Sequence, residues 1–130
     1  MSTDDVELVK RAWTAVRQRD LDSLLELIDP EIEFNTLIAE AEGTVFRGHA
    51  GIREWWEVVA GSMGVVRFDI QEFRDLDNGV LTRLVAIGNV GGVDVPQAMF
   101  HVSRIRNGKC FWWGVYRTER EALDALAEQS

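Results

Sequence analysis

Four β-rich segments fill the second half of this chain, and the turns between them constrain the fold more than any other feature. They read "VVRFDIQEF", "GVLTRLVAIGN", "VDVPQAMFHVSRIR" and "KCFWWGVYR". Between them stand Asp77–Gly79, the pair Gly91 and Gly92, and Asn107–Gly108. These residues tolerate the positive φ that tight hairpins require, so the segments are predicted to form an antiparallel meander. Gly88 and the Gly91–Gly92 pair would let so long a sheet bend.

The first half reads differently. In "TDDVELVKRAWTAVRQR", Val6, Val9, Ala12, Trp13 and Val16 recur at steps of three and four, the signature of one buried helix face. Thr3 can cap that helix, and Asp4, Asp5 and Glu7 complement its positive end. A second helix begins after Asp20, carries Leu21, Leu24, Leu25 and Ile28 as its stripe, and is expected to stop at Pro30. "EIEFNTLI" reads as a strand, followed by a loop through Glu40 and Gly43 and a short strand in "TVFRG". "HAGIREWWEVVAG" predicts a third helix with Ile52, Trp55, Trp56 and Val59 on one side and Gly61 or Gly64 near its end. A last short helix follows Thr118, which with Glu121 matches a capping box.

Helices ahead of a long meander imply an α+β domain. The expected architecture is a cone-shaped, curved antiparallel sheet of about six strands. Three helices from the N-terminal half cover its concave face, and a short helix closes the C-terminal end. A cone is hard to fill to native density, so a pocket is expected inside it. A length of 130 residues fits one domain, 1–130.

Charge and composition exclude several partners. Twenty-two acidic against 14 basic residues give a net charge of −8, which repels nucleic acid and anionic membrane surfaces. No apolar run approaches the roughly 20 residues that span a bilayer, and the acidic, polar N-terminus is unlike a secretory signal, so a cytoplasmic protein is expected. Cys110 has no second cysteine to pair with. Glu31, Glu33, Glu40 and Glu42 cluster in and after the first strand, but no second set of His or Asp ligands accompanies them. Neither a metal nor any other cofactor is expected.

"LVKRAWTAVRQRDLDSLLELIDPEIEF", "FRGHAGIREWW" and "HVSRIRNGKCFWWGVYRTEREALDAL" together resemble the SnoaL-like, polyketide cyclase-like members of the nuclear transport factor 2-like superfamily. The resemblance spans nearly the whole chain. It implies a small-molecule cavity and a homodimer formed through the exposed sheet face. It does not choose an activity, because the fold hosts isomerases, epoxide hydrolases, cyclases and non-catalytic domains alike.

Position by position, two of the implied chemistries fail. Where ketosteroid isomerases carry a tyrosine and a carboxylate base, this chain has Ala12 and Thr36. The epoxide-hydrolase positions fall on Phe34 and Thr36, then on Leu84, Ala86 and Val115, so the Asp-Arg-Asp relay is missing. Where relatives place a late-strand acid, this chain has His101, set between Phe100 and Val102. An imidazole with an ordinary pKa of about 6.5 can give or take a proton near neutrality. His101 is thus the candidate catalytic residue, with Asn35 and Thr36 as weaker helpers, while His49 is expected to cap or lie exposed.

Strand alternation groups Met99, His101, Ser103 and Ile105, and separately Phe111, Trp113, Val115 and Arg117. Trp13, Phe34, Trp55, Trp56, Met99 and Trp113 are the candidate ligand-contacting walls, with Arg117 as a candidate cation. Aromatic residues at this spacing equally serve as core filling, and Arg117 and Arg83 equally serve as surface residues. Trp112 and Tyr116, on the opposite face, are the expected dimer surface. Three functions remain open: a domain that binds a small apolar molecule without chemistry, a cofactor-independent lyase, isomerase or cyclase using His101, and a dimerisation module whose cone is plugged by tryptophans.

Overall fold

The computed structural model describes residues 3–36, 45–58 and 65–129. In chain order these form α1 (Thr3–Arg17), α2 (Leu21–Glu26), β1 (Ile28–Asn35), β2 (Phe46–Arg47), α3 (Gly48–Glu57), β3 (Val65–Leu76), β4 (Gly79–Val90), β5 (Val93–Arg106), β6 (Lys109–Tyr116) and α4 (Glu119–Glu128). The expected loop through Glu40 and Gly43, and Gly61 and Gly64 as helix stops, lie outside the described residues, as does the side chain of Thr3.

The strands join in one six-stranded sheet of order β2-β1-β6-β5-β4-β3. The α+β class and the meander hold, with one refinement: the sheet is mixed, because β1 runs parallel to β6. All three expected hairpin turns form. Gly91 and Gly92 take φ of +59° and +85°, and Asn107 and Gly108 take +54° and +74°, the left-handed pair that matches strand twist. Register shifts interrupt the β1–β6, β3–β4 and β5–β6 pairings, and such bulges bend a sheet and sharpen its twist.

One boundary moves. α2 is capped as expected, with Asp20 Oδ1 accepting from Ser23 N at 3.1 Å, but it ends at Glu26. Ile28 belongs to β1, and Pro30 lies inside that strand, in the stretch where the pairing with β6 shifts. The cause is tertiary: Cys110 N donates to Leu27 O at 2.9 Å, so β6 recruits the chain before Pro30 could stop the helix. Pro lacks an N–H and fits a strand where the ladder is broken.

Two apolar clusters lie on opposite faces of the sheet. The inner one joins α1, α2 and α3 to the sheet through Val9, Trp13, Leu24, Phe34, Ile52, Trp55 and Trp113. The outer one is small: Ala122 and Leu126 of α4 pack on Leu81, Val102 and Trp112. Thr118 caps α4, its Oγ1 accepting from Glu121 N at 3.1 Å. Arg74 donates to Glu119 at 3.2 and 3.3 Å and ties the start of α4 to β3.

This outer packing corrects two expectations. Trp112 is only 4% exposed, because the chain's own C-terminal helix covers it; Tyr116 is half-buried at the same cluster. Phe111 sides with Trp112 instead of Trp113. Arg104 pairs with Trp112 and Ile105 with Cys110, so Phe111 is the extra residue of a β-bulge, and strict alternation fails across it.

Candidate functional site

His101 sits on β5 with Val115 of β6 on one side and Thr82 of β4 on the other. Val80, Leu84 and Val115 belong to the inner cluster, so alternation turns His101 and Thr82 to the same inner face. His101 is 2% exposed and Thr82 fully buried. The titratable ring that stands between Phe100 and Val102 thus lies within the core.

Aromatic rings surround it. Trp13 meets His101 edge-on at 4.8 Å between centroids, and Trp113 stands 5.6 Å away. Phe34 stacks on Trp113 at 4.1 Å and 15°, and Trp55 packs against both, 5.2 Å from Phe34 and 5.1 Å from Trp113. Of the expected wall residues, the fold brings Trp13, Phe34, Trp55 and Trp113 together as buried core. Trp56 and Met99 pack at the edge of the cluster and stay half-buried. Between α1 and the sheet a void of about 20 Å³ remains, lined in part by Leu8, Trp13, Leu24, Ser103, Cys110 and Trp113. That is room for about one water molecule.

Other candidates are not brought to the imidazole. Asn35 pairs in register with Gly114 and donates to Glu33 Oε2 at 3.1 Å, on the strand face opposite Phe34 and His101. The expectation that it assists His101 is thus corrected by strand alternation. Arg117 is exposed just beyond β6, and Arg83 pairs with Glu72 at 3.4 Å on the surface. Thr36 is buried at the end of β1. His49 is half-buried, and its Nε2 donates to Ile28 O at 2.9 Å, which ties the start of α3 to β1.

A single side-chain hydrogen bond fixes the chemical state of His101. Trp113 Nε1 lies 2.8 Å from His101 Nδ1. An indole nitrogen can only donate, so Nδ1 accepts and carries no proton. The neutral ring then bears its hydrogen on Nε2. Burial acts the same way, pushing the imidazole pKa down to about 3. Among the described residues His101 Nε2 is buried without a partner, and so is Thr82 Oγ1, directly across the strand pair. An unmade buried hydrogen bond costs roughly 1–3 kcal/mol, so two orphans on adjacent strands need a reason.

This state weighs against the general acid/base role expected of His101. Protonation is opposed by burial, and using Nε2 as a base would require a proton on Nδ1, facing the donor of Trp113. What remains is a neutral N–H donor held in a fixed direction. Cys110 is no nucleophile either, since burial pushes its thiol up to about 12. Among the described residues no group of three or more His, Cys, Asp or Glu side chains could hold a metal ion. Thr82 was legible only weakly, as a polar residue sharing strand parity with Val80, Leu84 and Ala86.

The SnoaL-like domain model matches residues 9–113, most of the chain. The chain belongs to the SnoaL-like domain family. Solved structures agree on the fold of this SnoaL-like domain. TerC, crystallised with polyporic acid, is 22% identical, with 97% of this chain and 99% of that one covered at a TM-score of 0.78. Bal32a, from a soil-derived mobile gene cassette, is 19% identical over 95% of each chain at 0.77. An NTF2-like protein of unknown function from Burkholderia pseudomallei K96243 is 17% identical, covering 95% and 98% at 0.76. No curated protein matches the chain. Among the described residues no helix is long and apolar enough to cross a membrane.

Proposed function

We propose that this SnoaL-like domain binds a small, flat, mostly apolar molecule against the inner aromatic cluster and performs no proton-transfer chemistry there. The observation that carries the reading is the neutral His101 ring, locked by Trp113, with a buried N–H that has no acceptor among the described residues. Ligand sites are mostly apolar, with a few placed polar groups that fix orientation. TerC, of the same fold, was crystallised with polyporic acid, and this supports the reading.

Among the described residues the rings already touch one another, and the void between α1 and the sheet is water-sized. A ligand therefore enters by displacing side chains at the half-buried rim, where Phe46, Trp56 and Met99 pack against the cluster. Methionine suits such a rim, because its unbranched chain repacks at low cost.

The test is a titration of the full chain with 1-aminoanthracene, a neutral flat fluorophore. Saturable enhancement at one site per chain, with quenching of the buried tryptophans, is the expected result. Enhancement that never saturates, or none up to the solubility limit, overturns the reading in favour of a core plugged by its own rings.

A further inference from the structure

We infer that Thr82 is a second ligand-recognising residue, and that Thr82 and His101 together form a two-donor cradle for one neutral carbonyl oxygen of the bound molecule. The inference rests on the binding reading above and adds the chemistry of what is bound. His101 and Thr82 face each other in register across β5 and β4, on the same side of the sheet. Directly opposed side chains start from Cβ atoms about 5 Å apart, so one oxygen can reach both. Each carries a buried polar atom without a partner among the described residues, Nε2 of His101 and Oγ1 of Thr82.

The hydrogen count selects the guest. His101 Nε2 can only donate, because its proton is fixed there by the bond from Trp113. The Thr82 hydroxyl can rotate to donate as well. Two donors converging on one point match a carbonyl oxygen, which has two lone pairs. Donation from Trp113 into Nδ1 also polarises the ring and strengthens the Nε2–H as a donor.

Charge excludes an anionic guest. The buried polar side chains among the described residues are Thr36, Thr82, His101 and Ser103, none of them ionic. A carboxylate or phenolate placed there would have no counter-charge, and burying an unpaired ion is far costlier than burying a ketone. The guest class is therefore an apolar, ring-shaped molecule with a ketone or aldehyde group.

Paired probes separate this inference from the reading beneath it. Fluorene and 9-fluorenone have the same ring frame and differ at one carbon, CH₂ against C=O. Tryptophan quenching of the full chain is expected to show fluorenone binding about 5- to 10-fold more tightly. Its carbonyl stretch should move to lower wavenumber than in hydrocarbon solvent. Thr82→Val, which keeps the shape and removes the hydroxyl, should weaken fluorenone several-fold and leave fluorene unchanged.

Equal affinities with an unmoved carbonyl band overturn the cradle while leaving apolar binding intact. Failure of both probes to bind overturns both. Should Thr82→Val not fold, nitrogen NMR of the unmodified chain decides: the His101 Nε2 resonance is expected to shift with fluorenone and not with fluorene. A resonance indifferent to the ketone overturns the assignment.

Discussion

The two faces of the sheet carry the same local defect and resolve it differently. Among the described residues, His101 Nε2 on the inner face is buried without a partner, and so is Trp112 Nε1 on the outer face. The inner orphan is held in direction by Trp113 and faces a second orphan, Thr82. The outer one sits in a small apolar cluster closed by a ten-residue helix, beside the flat backbone of Gly114. A Cβ added to Gly114 would stand 2.6 Å from Tyr116 Cε2 and 3.0 Å from Trp112 Cη2, so glycine is what lets those rings lie on the strand. An unpartnered donor alone is a packing cost. It becomes a site when a second polar group faces the same space and the ring is fixed.

Three experiments test the contrast between the two faces. The largest effect belongs to the inner face and concerns pH. His101 takes up its proton near 6.5 when unfolded but only near 3 when folded, so its contribution is complete above about 6.5 and is lost as pH falls toward 3. The loss approaches about 1.4 kcal/mol per pH unit within that window. Denaturant unfolding of the native chain and of His101→Phe across that range measures it. Any constant penalty of the substitution drops out of the slope, and the acid-sensitive Asp20 and Glu72 pairs are common to both chains. Parallel stability curves would show that the buried imidazole charges freely, removing the fixed donor on which the inner site depends.

The outer face is probed by Leu126→Ala. Leu126 is 2% exposed and packs against the Trp112 cluster, so truncation should cost roughly 2–5 kcal/mol and shift tryptophan emission to the red as α4 loosens. Binding of 1-aminoanthracene to the remaining folded fraction should be unchanged. If it weakens in step, the two faces are one unit and the contrast fails.

The smallest effect is Thr118→Ala, which removes the N-cap of α4 and should cost about 1 kcal/mol in unfolding free energy. Hydrogen exchange in α4 should rise while β4 and β5 keep their protection. Uniform loosening would mean that α4 does not open separately from the sheet.

Much of the fold was legible where the cause is local. The Gly91–Gly92 and Asn107–Gly108 turns depend on residues that accept positive φ, and the Asp20 and Thr118 caps depend on a side chain reaching three residues ahead. Trp13, Phe34, Trp55 and Trp113 were legible as a set, though not as core instead of wall. What failed to show was what depends on distant strands. Pro30 reads as a helix stop but lies in β1, because β6 draws the preceding chain into the sheet. Phe111 changes face at a bulge that exists only in pairing with β5. Asn35 is separated from His101 by one step of alternation.

The meander and the amphipathic helices follow from the sequence, since periodicity and turn chemistry act within a few residues; the inward direction of His101 followed from the family resemblance. That this histidine is a neutral donor, that Thr82 stands across from it and that Trp112 is covered by α4 emerged from the assembled fold. Protonation and burial are set by groups far apart in the chain, whose approach depends on how strands pair and where a helix docks.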